Sequence, residues 1–246
     1  VQKKDDQDEP IAGVSCESCH GSGKEWIKLH SSYSGKTAQT ETSAEKAQRW
    51  KLAEAKGMIR IHAIYQLAKN CYGCHVVPNE ALVNKGSHQA GSPFELVSWS
   101  QGEVLHNTWY SKGANVPANA ARKRMLFLVG LGVELEMSLR AVAKATTRKA
   151  YAFLMAQRVD RARKQLAVAA KNAPNVPEIA KMVELAHSAG LKLNNERLLA
   201  IAADGVSKLI VSMTDKYDGS SMAGLDSMIP GPEKFKGTPR KPAAIN

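Results

Sequence analysis

The second half of the chain is patterned for helices. From Arg122 to Ala145, apolar residues recur at spacings of three and four: Met125, Leu128, Val129, Gly132, Val133, Leu135, Leu139 and Val142. That spacing puts them on one side of a helix. From Thr147 to Asn172 the same period runs through Tyr151, Leu154, Met155, Val159, Ala162, Leu166 and Ala169. Pro174 and Pro177 then punctuate the chain, and Pro177 suits a first helical turn, where its missing N–H is not needed. Two more helical patterns follow, Pro177–Ala189 ending at Gly190 and Asn195–Asp215 opening on the Asn194-Asn195 cap signal. Met125, Met137, Met155, Met182 and Met213 fall mostly on these apolar faces and read as core. Strand-like alternation is scarce. Four amphipathic segments with short connections predict an antiparallel helical bundle over 116–218, in a mainly α fold. Residues 219–246, with Gly, Ser and Pro throughout, read as an extended tail.

Residues 1–115 have a looser pattern. Lys24–His30 and Met58–Asn70 have helical spacing. In the second stretch Ile61, Ile64, Leu67, Ala68 and Cys71 define the inner side, and His62 projects with Gln66 and Lys69 toward the polar side. The segment from Gly86 to Asn107 has no period of its own but concentrates glycine, histidine and aromatic residues. This half therefore reads as loop-rich.

Composition narrows the classes. In 246 residues, 43% apolar content excludes a wholly disordered chain, and four cysteines exclude a disulfide-dense scaffold. No apolar run reaches the roughly 18–20 residues of a membrane helix. The nearest, Met125 to Leu139, is interrupted by Glu134 and Glu136.

All four cysteines fall in two copies of one motif, Cys16-Glu17-Ser18-Cys19-His20 and Cys71-Tyr72-Gly73-Cys74-His75. The pattern C-x-x-C-H is that of covalent haem c attachment. Two thiols three positions apart can each add to a vinyl group of one porphyrin, and the histidine that follows supplies the proximal iron ligand. A structural zinc site would need a shorter gap between the cysteine pairs. A thioredoxin-like C-x-x-C would need a βαβ context that is missing. Two disulfides would close short, strained loops. Two haem c groups, on Cys16, Cys19, Cys71 and Cys74 with His20 and His75 on iron, are the favoured reading.

Five histidines remain as candidate distal ligands. His187 sits in a helical pattern remote from both motifs and reads as a surface residue. His62 is demoted by its polar side. His30 shares a face with Trp26, four residues earlier, and stands open as ligand or surface residue. His88 and His106 lie among glycines that permit close backbone approach and beside Phe94, Trp99 and Trp109, which supply flat aromatic surface. His88 is the first choice there and His106 the second.

The stretch Gly13-Val14-Ser15-Cys16-Glu17-Ser18-Cys19-His20-Gly21 resembles the haem-binding segments of multihaem c-type cytochromes, in the group of the nitrifier tetrahaem cytochrome and hydroxylamine oxidoreductase. So does Cys71–His75 followed by Pro78-Asn79-Glu80 and a Gly-x-His. The resemblance covers roughly residues 13–110. It implies mostly bis-histidine, low-spin haems used for electron transfer. That group often has four or more haems, where this chain has two motifs, and a histidine often found soon after C-H-G is displaced here to His30.

Covalent haem attachment takes place outside the cytoplasmic membrane, so the expected compartment is the bacterial periplasm. The start at Val1, with no apolar signal region, reads as a mature, processed chain.

The net charge of +11 is uneven. Residues 1–115 hold 13 basic and 12 acidic side chains, and residues 116–246 hold 21 and 11. Nine of the basic residues lie in 140–171 (Arg140, Lys144, Arg148, Lys149, Arg158, Arg161, Arg163, Lys164, Lys171), against Asp160 alone. Each ferric haem with ionised propionates adds about −1, so the haem half becomes slightly acidic. The basic helices are expected to dock an acidic redox partner or an anionic membrane surface, or else to be a solvated face. Nucleic acid is not expected, since aromatics are sparse among these charges. Electron transfer is the leading function. The alternative is a haem enzyme or gas-binding protein with one open iron, in peroxidase or nitrogen-oxide chemistry, with His62 or His106 as an acid–base group. A scaffold that wires a larger oxidoreductase is a third.

Overall fold

The computed structural model describes residues 14–106 and 114–239. They form ten α-helices, several short 3-10 turns and no strand among the described residues, so the fold is mainly α. No helix is long and apolar enough to cross a membrane among these residues. The chain groups into two compact units, one up to Cys71 and one from Tyr72 onward.

The first unit is built from short pieces. Helix α1 (Cys16–His20) ends at Gly21, whose φ of +81° favours glycine. A 3-10 turn over Gly23–Glu25 leads into α2 (Ile27–His30), so the expected Lys24–His30 helix is split at Trp26. Helix α3 (Ser43–Ala55) starts at a capping box: Thr42 Oγ1 accepts from the Glu45 N–H at 3.3 Å, and Glu45 returns a bond to the Thr42 N–H at 3.0 Å. Helix α4 (Ile64–His75) begins six residues later than the Met58–Asn70 pattern and runs through the second motif. Ile61 consequently lies before the helix and is exposed, while Ile64, Tyr65 and Ala68 are buried.

The second unit holds the large core. Helices α5 (Glu80–Asn84) and α6 (Leu96–Ser100) precede α7 (Ala120–Ala143), α8 (Ala150–Asn172), α9 (Pro177–Ser188) and α10 (Glu196–Lys216). The last four pack in a closed ring, α7 on α8, α8 on α9, α9 on α10 and α10 on α7. Helix α7 is buried on almost every side, Arg124 and Glu136 included, rather than on the one side its apolar spacing predicts. Met125, Met155, Met182 and Met213 are buried in this core. Leu154, expected on the inner face of α8, is exposed instead.

Helices α5 and α6 pack on α8 and α7 respectively, so residues from Tyr72 to 106 group with the bundle and the division falls well before residue 115. The tail is also fastened. Met222 and Leu225 are buried, and Arg124 binds both carboxylate oxygens of Asp226, at 2.6 and 2.7 Å. Farther on, Lys236 exchanges backbone bonds with Ser98 and Glu103 at 2.9 and 2.8 Å, which brings the tail to α6.

Candidate functional site

Each unit carries one motif histidine. In the first, Cys16 and Cys19 stand three apart on α1, hence on one face. His20 closes that helix and is clamped from two sides. Its Nδ1 donates to the Ile59 carbonyl at 2.7 Å, and its own carbonyl accepts from the Ile59 N–H at 2.9 Å. A carbonyl only accepts, so the neutral ring has its proton on Nδ1 and its lone pair on Nε2. Gly21 lets the 57–59 strand of chain approach, because a Cβ there would lie 2.7 Å from the Gly57 oxygen. Asn70, the residue before Cys71, donates to the Cys19 carbonyl at 2.9 Å.

Trp26 packs edge-on to His30, with ring centroids 5.3 Å apart, as their four-residue spacing suggests. Trp26 is 4% exposed, and its indole N–H has no hydrogen-bond partner. Arg60, next to Ile59, lies over the Trp50 ring at 3.7 Å and forms an ion pair with Glu54 at 3.4 Å, while its buried Nε makes no hydrogen bond.

In the second unit Cys74 and His75 end α4. The His75 Nδ1 lies 2.7 Å from Ser92 Oγ. Phe94 stacks on the imidazole at 4.3 Å, Trp99 is tilted beside it at 5.7 Å, and Tyr72 meets Phe94 edge-on at 4.9 Å. Burial pushes the His75 imidazole below its ordinary value, and the charge of Arg158 adds to that. Both effects favour the neutral ring, the form with a nitrogen lone pair to offer. Cys16 and Cys74 are exposed, and Cys19 and Cys71 are half-buried.

The distal candidates are distributed between the units. His30 belongs to the same unit as His20, and its Nδ1 donates to the Ile27 carbonyl at 2.7 Å. His88 and His106 belong with His75; both are exposed, with Nδ1 donating to Gln89 and Val104 carbonyls at 2.7 and 2.6 Å. Trp109 lies outside the described residues. His62 is exposed as its polar side required, 3.5 Å from Glu54, and His187 accepts from Arg163 at 3.0 Å on the bundle surface. The described residues bring together no three His, Cys, Asp or Glu side chains able to cage a bare metal ion.

The basic stretch on α7 and α8 is less uniform than its sequence. Arg158 is buried and paired with Glu134, Arg140 with Glu136 and Asp204, and Arg163 and Lys164 with Asp160. The two glutamates that interrupt the apolar run thus take up two of the nine cations inside the fold. Lys144, Arg148, Lys149, Arg161 and Lys171 remain exposed, and Phe153 and Val168 stand exposed on α8 among them. Comparison with family models, curated proteins and solved structures finds no match to the chain.

Proposed function

We propose that the chain is a dihaem c-type cytochrome that carries electrons between periplasmic redox partners. The observation that carries this reading is the repeated C-x-x-C-H, each copy at a helix end, with thiols and with an imidazole already held at Nδ1. Haem c asks for that donor set: two nucleophilic thiols and one oriented imidazole nitrogen. Each S–H would add across a vinyl C=C, forming one C–S bond and passing its hydrogen to the neighbouring carbon, with no net oxidation.

The surroundings fit as well. Trp26 and Arg60 offer buried N–H groups of the kind that receive propionate carboxylates, and Phe94, Trp99 and Tyr72 form an apolar wall at the second motif. The apolar burial of the first unit rests on Trp26, Ala53, Ile64, Tyr65 and Ala68. So small a core usually needs a staple, and a cofactor bound covalently to Cys16 and Cys19 would supply one.

When bound, a haem supplies a one-electron iron couple. With both haems bound, His30 would be the candidate second ligand in the unit of His20, and His88 or His106 in the unit of His75. If both irons carry two imidazoles, no open position is left for a substrate. The expected result is a low-spin absorption spectrum that carbon monoxide leaves unchanged after reduction. A high-spin component, or a carbon monoxide shift, would turn the reading toward an enzyme or gas-binding protein.

The partner surface in this reading is the outer face of α8, where Arg161, Lys164 and Lys171 alternate with Phe153 and Val168. Basic charge around an apolar centre suits an acidic redox protein, attracted at long range and then held by contact. Reversing Arg161 and Lys171 to Glu is expected to slow association about tenfold at low salt. Equal rates for parent and variant would remove α8 as the docking face.

A further inference from the structure

Each unit contains a buried arginine used in the same way. In the first, Arg49 Nε and Nη2 bind the two oxygens of Glu41 at 2.6 and 2.7 Å, and Nη1 donates to the His30 carbonyl. In the second, Arg158 Nε and Nη2 bind the two oxygens of Glu134 at 2.8 and 2.9 Å, and Nη1 donates to the Ser92 carbonyl at 3.2 Å. Both arginines are buried. A planar fork satisfied on one edge by a carboxylate leaves its remaining nitrogen pointing in one fixed direction. That direction, in both units, is the backbone of a segment that supports a histidine.

The second instance reaches a motif histidine. Ser92, whose carbonyl Arg158 holds, contacts the His75 Nδ1 through its hydroxyl at 2.7 Å. Gly91, with φ of +104°, lets this loop lie against the His75 carbonyl, where any Cβ would collide; that Cβ would also lie 3.2 Å from Arg158 Nη1. Phe94, two residues after Ser92, stacks on the imidazole. Resting on the haem reading, we propose that Arg158 is a positioning residue for His75. It fixes the 91–94 loop against the ring, and its positive charge raises the reduction potential of the iron bound there.

The two effects have separable signs. With iron held at the other ring nitrogen, the His75 proton would sit on Nδ1, where Ser92 Oγ at 2.7 Å would accept it. That acceptor makes the ring a stronger donor and favours ferric iron, which lowers the potential. The guanidinium opposes the extra positive charge of ferric iron, which raises it. Arg158 Nη1 reaches this ring through one residue, Ser92, whose carbonyl it binds and whose hydroxyl meets the imidazole Nδ1.

The test is potentiometry with electron paramagnetic resonance on the periplasmically matured full chain and three variants. Ser92→Ala keeps the backbone carbonyl that Arg158 binds and removes one hydroxyl; the potential of the His75 haem is expected to rise. Arg158→Met is expected to lower it, and Arg158→Lys to restore most of the potential while broadening the resonance signals, because the charge returns without the fork. The potential of the His20 haem is expected to stay put throughout. Should Arg158→Met fail to fold because it strands Glu134, Arg158→Lys, which keeps a cation facing Glu134, decides through the broadening of the resonance signals. Potentials unchanged in variants that carry both haems would overturn the role of Arg158 alone. A parent chain without covalent haem on Cys71 and Cys74 would overturn the haem reading itself.

Discussion

Glu80 and Gly91 show what single residues contribute around the second motif. The Glu80 carboxylate accepts from the N–H and hydroxyl of both Thr146 and Thr147, at 2.5 to 3.0 Å, just before α8 begins. Burial alone would push this carboxyl up, but those four bonds outweigh it and hold it down to about 2. A folded value below the unfolded one means the stabilisation is complete above the ordinary 4.5 and is lost as pH falls toward 2. Glu80→Gln is expected to cost about 1–2 kcal/mol in urea unfolding at pH 7. The gap between parent and variant should close in acid. Gly91→Ala forces a side chain into left-handed backbone and against the His75 carbonyl. Its expected cost is about 1–3 kcal/mol, read in thermal unfolding of the haem-loaded chain.

At the level of elements, the ring of four long helices depends on close approach at small residues. A Cβ on Gly132 of α7 would lie 2.8 Å from Ile210 Cγ1 of α10. Gly132→Val is expected to destabilise by about 1–3 kcal/mol through overpacking, and Leu139→Ala by about 2–5 kcal/mol through a cavity, both by denaturant titration. These four helices were legible in the sequence to within a few residues, because their apolar period is strong and continuous. Helix α3 was not, since its residues are mostly polar or alanine; the Thr42 and Glu45 capping pair was the signal that marks it. The period of residues 58–70 placed α4 too early because Ile61 belongs to the turn before it. At the candidate site, the motif cysteines and histidines could be read directly. Ile59, Ser92, Arg158 and Glu134 could not, because each lies far along the chain from the histidine or the loop it supports. Arg158 in particular looks, by spacing, like one more cation on a basic face, and only packing shows it turned inward to Glu134.

Across the whole molecule, the apolar core and the chemistry are unequally shared. Among the described residues, the unit from Tyr72 onward holds most of the buried apolar side chains, whereas the unit up to Cys71 has few. Replacing Cys16 and Cys19 with Ser is therefore expected to leave α7 to α10 resistant to limited proteolysis while the segment up to Cys71 becomes rapidly cut. Equal resistance of both would show that the first unit does not depend on a covalent staple. The uneven charge acquires a structural meaning too, since part of the basic excess is consumed by Glu134, Glu136, Asp160 and Asp204 and the remainder lies exposed. The central claim, that both C-x-x-C-H motifs attach haem, is tested most directly by the intact mass and pyridine haemochrome spectrum of the chain matured in a periplasm with cytochrome c assembly. The account predicts two covalently bound haems c per chain, one lost in Cys16→Ser/Cys19→Ser and the other in Cys71→Ser/Cys74→Ser. A fully matured chain with the mass of the bare polypeptide and no haemochrome bands would contradict it.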